Sequence, residues 1–125
     1  MNQLRLTERA LSDLDEIESY SVSRWGREVA DKYIADLGAA LDRLSQDLSL
    51  FRERHDYTGR LRFYSVREHV LVGDVIGRVG FVLTVWHGAM DFFDRLADIE
   101  PDLMREAAIM AKQIERELGR PRGSD

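Results

Sequence analysis

The sequence predicts an α+β domain with the order β-α-α-β-β-β, a helical hairpin packed on a mainly antiparallel sheet, and an extra C-terminal helix. Between Ala10 and Leu44, apolar residues recur every three or four positions, which is typical of amphipathic helices. Three runs rich in β-branched and aromatic residues follow between residues 61 and 87, which favours strands. Helices and strands segregated along a chain in this way are typical of the α+β class.

The first half of the chain is predicted to form one short strand and two helices. Residues 3–6 alternate polar and apolar side chains, as a half-buried strand does. Thr7 suits the N-cap of a helix that ends at Trp25-Gly26, because glycine tolerates the left-handed conformation that follows many helices. A second helix is predicted over residues 27–46, and so short a joint favours an antiparallel hairpin with Trp25 buried at the joint.

The second half predicts three strands and a final helix. The strands are placed at residues 61–66, 68–75 and 80–87, and the third is apolar enough to be central, covered on both faces. Pro101 is placed in the first turn of the last helix, where its missing N–H costs nothing. A narrow apolar stripe follows, which could dock on its own domain, on a second copy or on a partner: Leu103, Ala107, Met110, Ile114 and Leu118.

Length and composition restrict the class of protein. The 125 residues suit a domain at 1–97 followed by a C-terminal helical extension and tail at 98–125. A net charge of −5 argues against a general nucleic-acid coat, which needs a basic face. The absence of cysteine excludes disulfides and thiolate chemistry. No signal peptide and no membrane-length apolar run are found, so we expect a cytoplasmic protein without membrane contact.

Acidic residues are abundant on the first helix, but they do not predict a metal site. Asp13, Asp15, Glu16 and Glu18 are placed on its water-facing side with no histidine nearby. Divalent cations need oxygen ligands that converge from several directions. We therefore expect neither a metal nor a cofactor.

The motifs together resemble one known family. The predicted hairpin carries Ala10-x-x-Asp13-Leu14-x-Glu16-Ile17-x-x-Tyr20, then Trp25-Gly26, Ala30, Tyr33, Leu37 and Leu41. The predicted sheet carries Gly59-Arg60-Leu61-Arg62, His69-Val70 and Trp86-His87-Gly88-x-x-Asp91. In order and spacing, residues 3–96 resemble the RelE/ParE toxins of bacterial type II toxin–antitoxin pairs, and the ParE-like branch more than the RelE-like branch.

This resemblance implies two helices against a curved antiparallel sheet, and a cognate antitoxin that wraps the toxin and silences it. For the ParE-like branch it implies DNA gyrase as the target, with no enzymatic activity of the toxin itself. For the RelE-like branch it implies a metal-independent endoribonuclease that cuts messenger RNA on the ribosome. The ParE-like interpretation is our leading hypothesis, and the ribonuclease is the alternative.

The sequence departs from the family pattern in three places. Ala89 and Met90 stand where arginines are usual, and Leu71-Val72-Gly73 replaces an aromatic continuation of the strand. The last helix extends past the point where many members of the family end. These departures leave a third alternative open, a binding module derived from such a toxin that has lost its toxicity.

Candidate site residues follow from the resemblance and from chemistry. RNA cleavage without a metal needs a base, an acid and cations, and Arg62, Arg78 and His87 would supply them in a RelE-like enzyme. A plain structural role is the alternative for His69 and His87. Contacts to antitoxin or target are expected from Arg60, Arg62, His69, Arg78, His87, Leu103, Met110 and Ile114. The sequence leaves open whether the chain forms a homodimer or a hetero-oligomer with the antitoxin.

Overall fold

A computed structural model describes residues 3–54, 57 and 59–119, without the side chains of Ala89 and Met90. The predicted α+β class and the predicted order of elements are confirmed. The elements are β1 (Gln3–Leu6), α1 (Glu8–Trp25), α2 (Arg27–Gln46), β2 (Arg62–Val66), β3 (His69–Ile76), β4 (Val79–His87) and α3 (Ala89–Gly119). The end of the predicted tail, residues 120–125, lies outside the described part.

The four strands form one sheet in the order β1-β4-β3-β2. β4 is antiparallel to β3 and parallel to β1, so β4 is a central strand, as its apolar sequence predicted. The register between β3 and β4 shifts at Val72 and Gly73. A Cβ atom on Gly73 would lie 1.9 Å from the carbonyl oxygen of Phe81, so only glycine permits this close approach of the two strands.

The helical hairpin covers one face of the sheet. Thr7 caps α1, its side chain accepting a hydrogen bond from the backbone N–H of Ala10, and Gly26 turns the chain into α2 with φ +89°. The apolar stripes of α1 and α2 both pack on this face, where they form one core layer with residues of β3 and β4. The buried members of this layer include Ala10, Leu37, Ala40, Leu44, Leu71, Val82 and Val85.

The predicted burial of Trp25 at the helical joint is wrong. Its side chain remains 46% exposed, and its ring stands edge-to-face with that of Tyr20, which is 56% exposed. The joint borders an open cleft instead of the core. A tryptophan beside a turn is therefore available at the surface.

α3 covers the opposite face of the sheet, so most of the apolar stripe docks within its own chain, whereas Leu118 is 60% exposed. Its stripe joins a core layer with β2, β3 and β4. The predicted start of this helix at Pro101 is wrong, because α3 begins at Ala89 and contains Pro101 in its interior. An interior proline costs about 3 kcal/mol. Burial of Phe92 and Leu103 on either side of it offsets that cost, and their three-and-four spacing through Leu96 and Ile99 continues the helix.

Polar contacts fix the position of α3 along the sheet. Arg5 on β1 pairs with Glu117, and Arg9 on α1 pairs with Glu106. Each exposed ion pair adds little free energy, so these pairs set orientation more than stability. Among the described residues, no helix is both long and apolar enough to cross a membrane.

Two isoleucines on α3 offer a matched test of this docking. Ile114 is fully buried and Ile109 is 55% exposed. We expect Ile114→Ala to lower the free energy of unfolding by about 2–5 kcal/mol, because it leaves a cavity in the core. Ile109→Ala should change it by less than about 0.5 kcal/mol. Urea titration measures both, and equal effects would contradict docking of α3 on its own sheet.

Candidate functional site

A cleft of about 430 Å³ opens between α1 and the far end of the β3–β4 hairpin. We call it the α1–β4 cleft. Its volume lies within the range of small-molecule sites. Its walls are formed by Asp13, Glu16, Ile17, Tyr20, Ser21 and Trp25 of α1, Tyr33 of α2, and Glu68, His69, Val85, Trp86 and His87 of the sheet.

The cleft exists because β1 is too short to cover β4 completely. β1 pairs with β4 only from Val79 to Val82, which leaves the edge of β4 open beyond that point. Asp13 occupies part of this edge: its Oδ2 accepts a hydrogen bond from the backbone N–H of Val85 at 3.0 Å and another from the hydroxyl of Thr84. The prediction that Asp13 faces water is therefore wrong, since this carboxylate fixes α1 to the strand.

His69 forms the floor of the cleft and is only 6% exposed. Its Nδ1 is hydrogen-bonded to the hydroxyl of Tyr33 at 2.6 Å. The pKa of His69 is lowered to about 4, first by burial and then by the neighbouring His87, while Glu68 opposes the shift. The imidazole is therefore neutral at physiological pH, and it is not a proton donor of the kind that general acid catalysis near pH 7 requires.

His87 lies at the mouth of the cleft. Its ring centroid is 4.9 Å from that of His69, and its Nε2 lies 3.6 Å from a carboxylate oxygen of Glu68. The side chain is 65% exposed. Two predicted site residues, His69 and His87, are thus brought together by the register of β3 and β4, in which they are directly opposite each other.

The arginines of the predicted site lie elsewhere. Arg60 and Arg62 both pair with Asp74, which is 3% exposed, and the second of these contacts measures 3.7 Å. Arg78 occupies the turn before β4, whereas His87 ends that strand. At about 3.3 Å per residue, these two are separated by roughly 30 Å. Arg62, Arg78 and His87 therefore do not surround one reacting bond.

The predicted binding residues of the last helix are mostly buried. Leu103 is 2% exposed and Ile114 is fully buried, while Met110 is partly buried against the same layer. Leu103 and Ile114 are not accessible to a partner while α3 stays docked, whereas Met110 keeps part of its side chain at the surface. A binding role for them remains a prediction.

Sequence reasoning did not assign Tyr20 or Trp25 to the site. Both carry apolar rings at positions that fit the helical stripe, so their spacing indicated burial. Their exposure follows from where the hairpin ends relative to the sheet, which the spacing does not encode. Within the described residues, no group of three or more histidine, aspartate or glutamate side chains is arranged to hold a metal ion.

The fold and the cleft define a small α+β protein, and comparison with known proteins shows its family. Residues 4–92 match the family model described as the ParE toxin of the type II toxin–antitoxin system, parDE. The chain is 31% identical over 91 residues to Toxin ParE1 of Caulobacter vibrioides, which covers 73% of this chain and 94% of that protein. The chain belongs to the ParE toxin family and is a type II toxin component.

A solved structure supports the fold. The structure described as the chromosomal ParDE TA system from P. aeruginosa superimposes with a TM-score of 0.62 at 23% identity. It covers 70% of this chain and 97% of the matched chain. Members of this family are the toxins of toxin–antitoxin pairs, so membership implies an antitoxin as the partner. Most of α3 lies after the residues that the family model matches.

The bonds of Asp13 to β4 should contribute measurably to stability. Removing the carboxylate in Asp13→Ala leaves the N–H of Val85 without its acceptor, so we expect a loss of about 1–3 kcal/mol in the free energy of unfolding. Asp15→Ala on the exposed side of the same helix is the matched control and should be nearly neutral. Thermal and urea unfolding measure both variants, and similar losses would contradict a tie between α1 and β4.

His69 should make stability depend on pH. Its folded pKa of about 4 lies below the ordinary value of 6.5, so between these values the unfolded chain binds a proton that the folded chain excludes. The free energy of unfolding should therefore fall as pH is lowered through this window, by up to about 3 kcal/mol from this group. His69→Gln should flatten that slope. His87→Gln should retain most of it, and a slope unchanged by His69→Gln would contradict the assignment.

Proposed function

We propose that this toxin acts on DNA gyrase when it is free, and that its antitoxin silences it by binding over the α1–β4 cleft. The cleft is the observation that carries the proposal. It presents Tyr20 and Trp25, about half exposed, beside a fixed sheet edge. Tyrosine and tryptophan dominate the energetically important centres of protein–protein interfaces, so such a surface suits a protein partner better than a reacting nucleotide.

The arrangement of ionisable groups supports a toxin that works by binding. A metal-independent ribonuclease needs an acid, a base and cations within reach of one phosphate. Here the histidine that is deepest in the cleft is neutral, and two of the arginines are held by the buried Asp74. Arg78 stands at the far end of the sheet. These positions favour the gyrase hypothesis over the ribonuclease alternative.

Induction of the chain alone in a bacterial host tests the target. We expect incorporation of labelled precursors into DNA to fall before incorporation into protein, because a poisoned gyrase leaves broken DNA. The purified chain should also inhibit supercoiling of relaxed plasmid by gyrase. DNA topoisomerase I assayed on the same plasmid is the control for target specificity, and its relaxation activity should be unaffected.

Three outcomes would contradict the proposal. If protein synthesis falls first and messenger RNA is cut, the ribonuclease alternative replaces it. If growth continues and gyrase stays active, the chain is a binding module without toxicity. If the protein encoded beside this gene neither binds the chain nor restores supercoiling, silencing by a cognate antitoxin is wrong.

A further inference from the structure

The α1–β4 cleft has a charge that restricts what it can bind. Three carboxylates line it, from Asp13, Glu16 and Glu68, and among the described residues that line it there is no lysine or arginine. Asp13 is engaged with β4, but Glu16 is exposed and Glu68 is 70% exposed at the mouth. An occupant that carries positive charge would complement this wall, and an acidic one would be repelled.

The aromatic residues of the cleft favour the same kind of ligand. Trp25 and Tyr20 stand edge-to-face with ring centroids 6.0 Å apart, and both remain about half exposed. The face of an indole ring attracts cations, and a planar guanidinium stacks on it more readily than a compact ammonium group. Trp25 and Glu16 therefore offer a stacking surface and a counter-charge within one cleft.

The floor of the cleft adds a neutral hydrogen-bond donor. The hydroxyl of Tyr33 is hydrogen-bonded to Nδ1 of His69 and is also approached by the backbone N–H of Glu68, and on these contacts we assign the tautomer in which the hydroxyl donates its proton to Nδ1. The ring proton of the neutral imidazole is then on Nε2. In the described part of the chain, Nε2 of His69 has no hydrogen-bond partner. Every side-chain nitrogen or oxygen that is fully buried there does have a partner, so Nε2 is not fully buried. Because His69 lines the cleft, Nε2 is open to it. A backbone carbonyl of a peptide is a suitable acceptor.

We infer that the α1–β4 cleft binds an arginine-bearing segment of the antitoxin. The guanidinium stacks on Trp25 and faces Glu16 and Glu68, while a carbonyl of the segment accepts a hydrogen bond from His69. This inference rests on the proposed function, which supplies a protein partner for the cleft. It adds the chemistry of the contact: a basic side chain presented on a peptide backbone.

The test uses the full chain and a blocked tripeptide, acetyl-Leu-Arg-Leu-amide, with the citrulline tripeptide as the matched control. Citrulline keeps the shape of arginine and removes its charge. NMR at millimolar peptide should show shifts of the Trp25 indole and the His69 ring, and the citrulline peptide should bind at least about fivefold more weakly. Equal binding of the two peptides, or shifts confined to another surface, would overturn the inference.

Variants of the chain separate the cleft from general electrostatics. The double variant Glu16→Gln/Glu68→Gln should weaken binding of the arginine peptide by about three- to tenfold, and Trp25→Leu by a similar factor. Asp15→Asn removes one charge from the exposed side of α1 and should leave binding unchanged. An equal loss in Asp15→Asn would mean that the peptide senses only net charge, and the inference would fail.

The same samples distinguish this inference from the proposed function. Inhibition of gyrase without binding of the arginine peptide overturns the cleft chemistry and leaves the target intact. Binding of the peptide at Trp25 and His69, with gyrase unaffected, supports the cleft chemistry and overturns the target.

Discussion

Burial of the central strand β4 on both faces is the constraint on which the other features of this structure depend. Phe81 and Leu83 point towards α3, while Val82 and Val85 point towards the helical hairpin, and all four are buried. Side chains of one strand thus supply both core layers, and the extra residue Leu83 in the pairing of β4 with β3 puts Val85 on the same side as Val82. A shift of one residue in its register would exchange the two layers. The close approach of Gly73 to Phe81 fixes that register where β3 and β4 cross the core.

The candidate site follows from the mismatch in length between β4 and its neighbour β1. Where β1 ends, backbone groups of β4 have no strand partner, and an uncovered edge invites unwanted pairing. Asp13 satisfies one of these groups and draws the middle of α1 against the strand. Further along, α1 ends at a glycine joint that no strand covers, so Tyr20 and Trp25 border open space. The cleft therefore combines a sheet edge that is hydrogen-bonded to Asp13 with two aromatic side chains that remain exposed.

α3 changes what a partner can reach. It covers the second face of the sheet with Phe92, Leu103 and Ile114, and most of it lies after residue 92, where the match to the family ends. A partner that leaves α3 in place has the cleft side of the molecule to bind. The proposed recognition surface, the acidic cleft, lies on that side. Contacts of α3 with β1 and α1 also join the two ends of the described chain.

The sequence by itself determined the class of fold, the family and most boundaries of the elements. Helical spacing, the Thr7 cap and Gly26 define the hairpin, because these signals act within a few residues. Local signals misplaced the start of α3, since Pro101 favours a first turn and only burial on the sheet carries the helix through it. They also misplaced Trp25 and Asp13, because spacing does not report which strand lies opposite. The tertiary structure alone brought His69 to His87, separated Arg78 from both, and placed most of the apolar stripe in the core. These relations join residues that are distant in the chain.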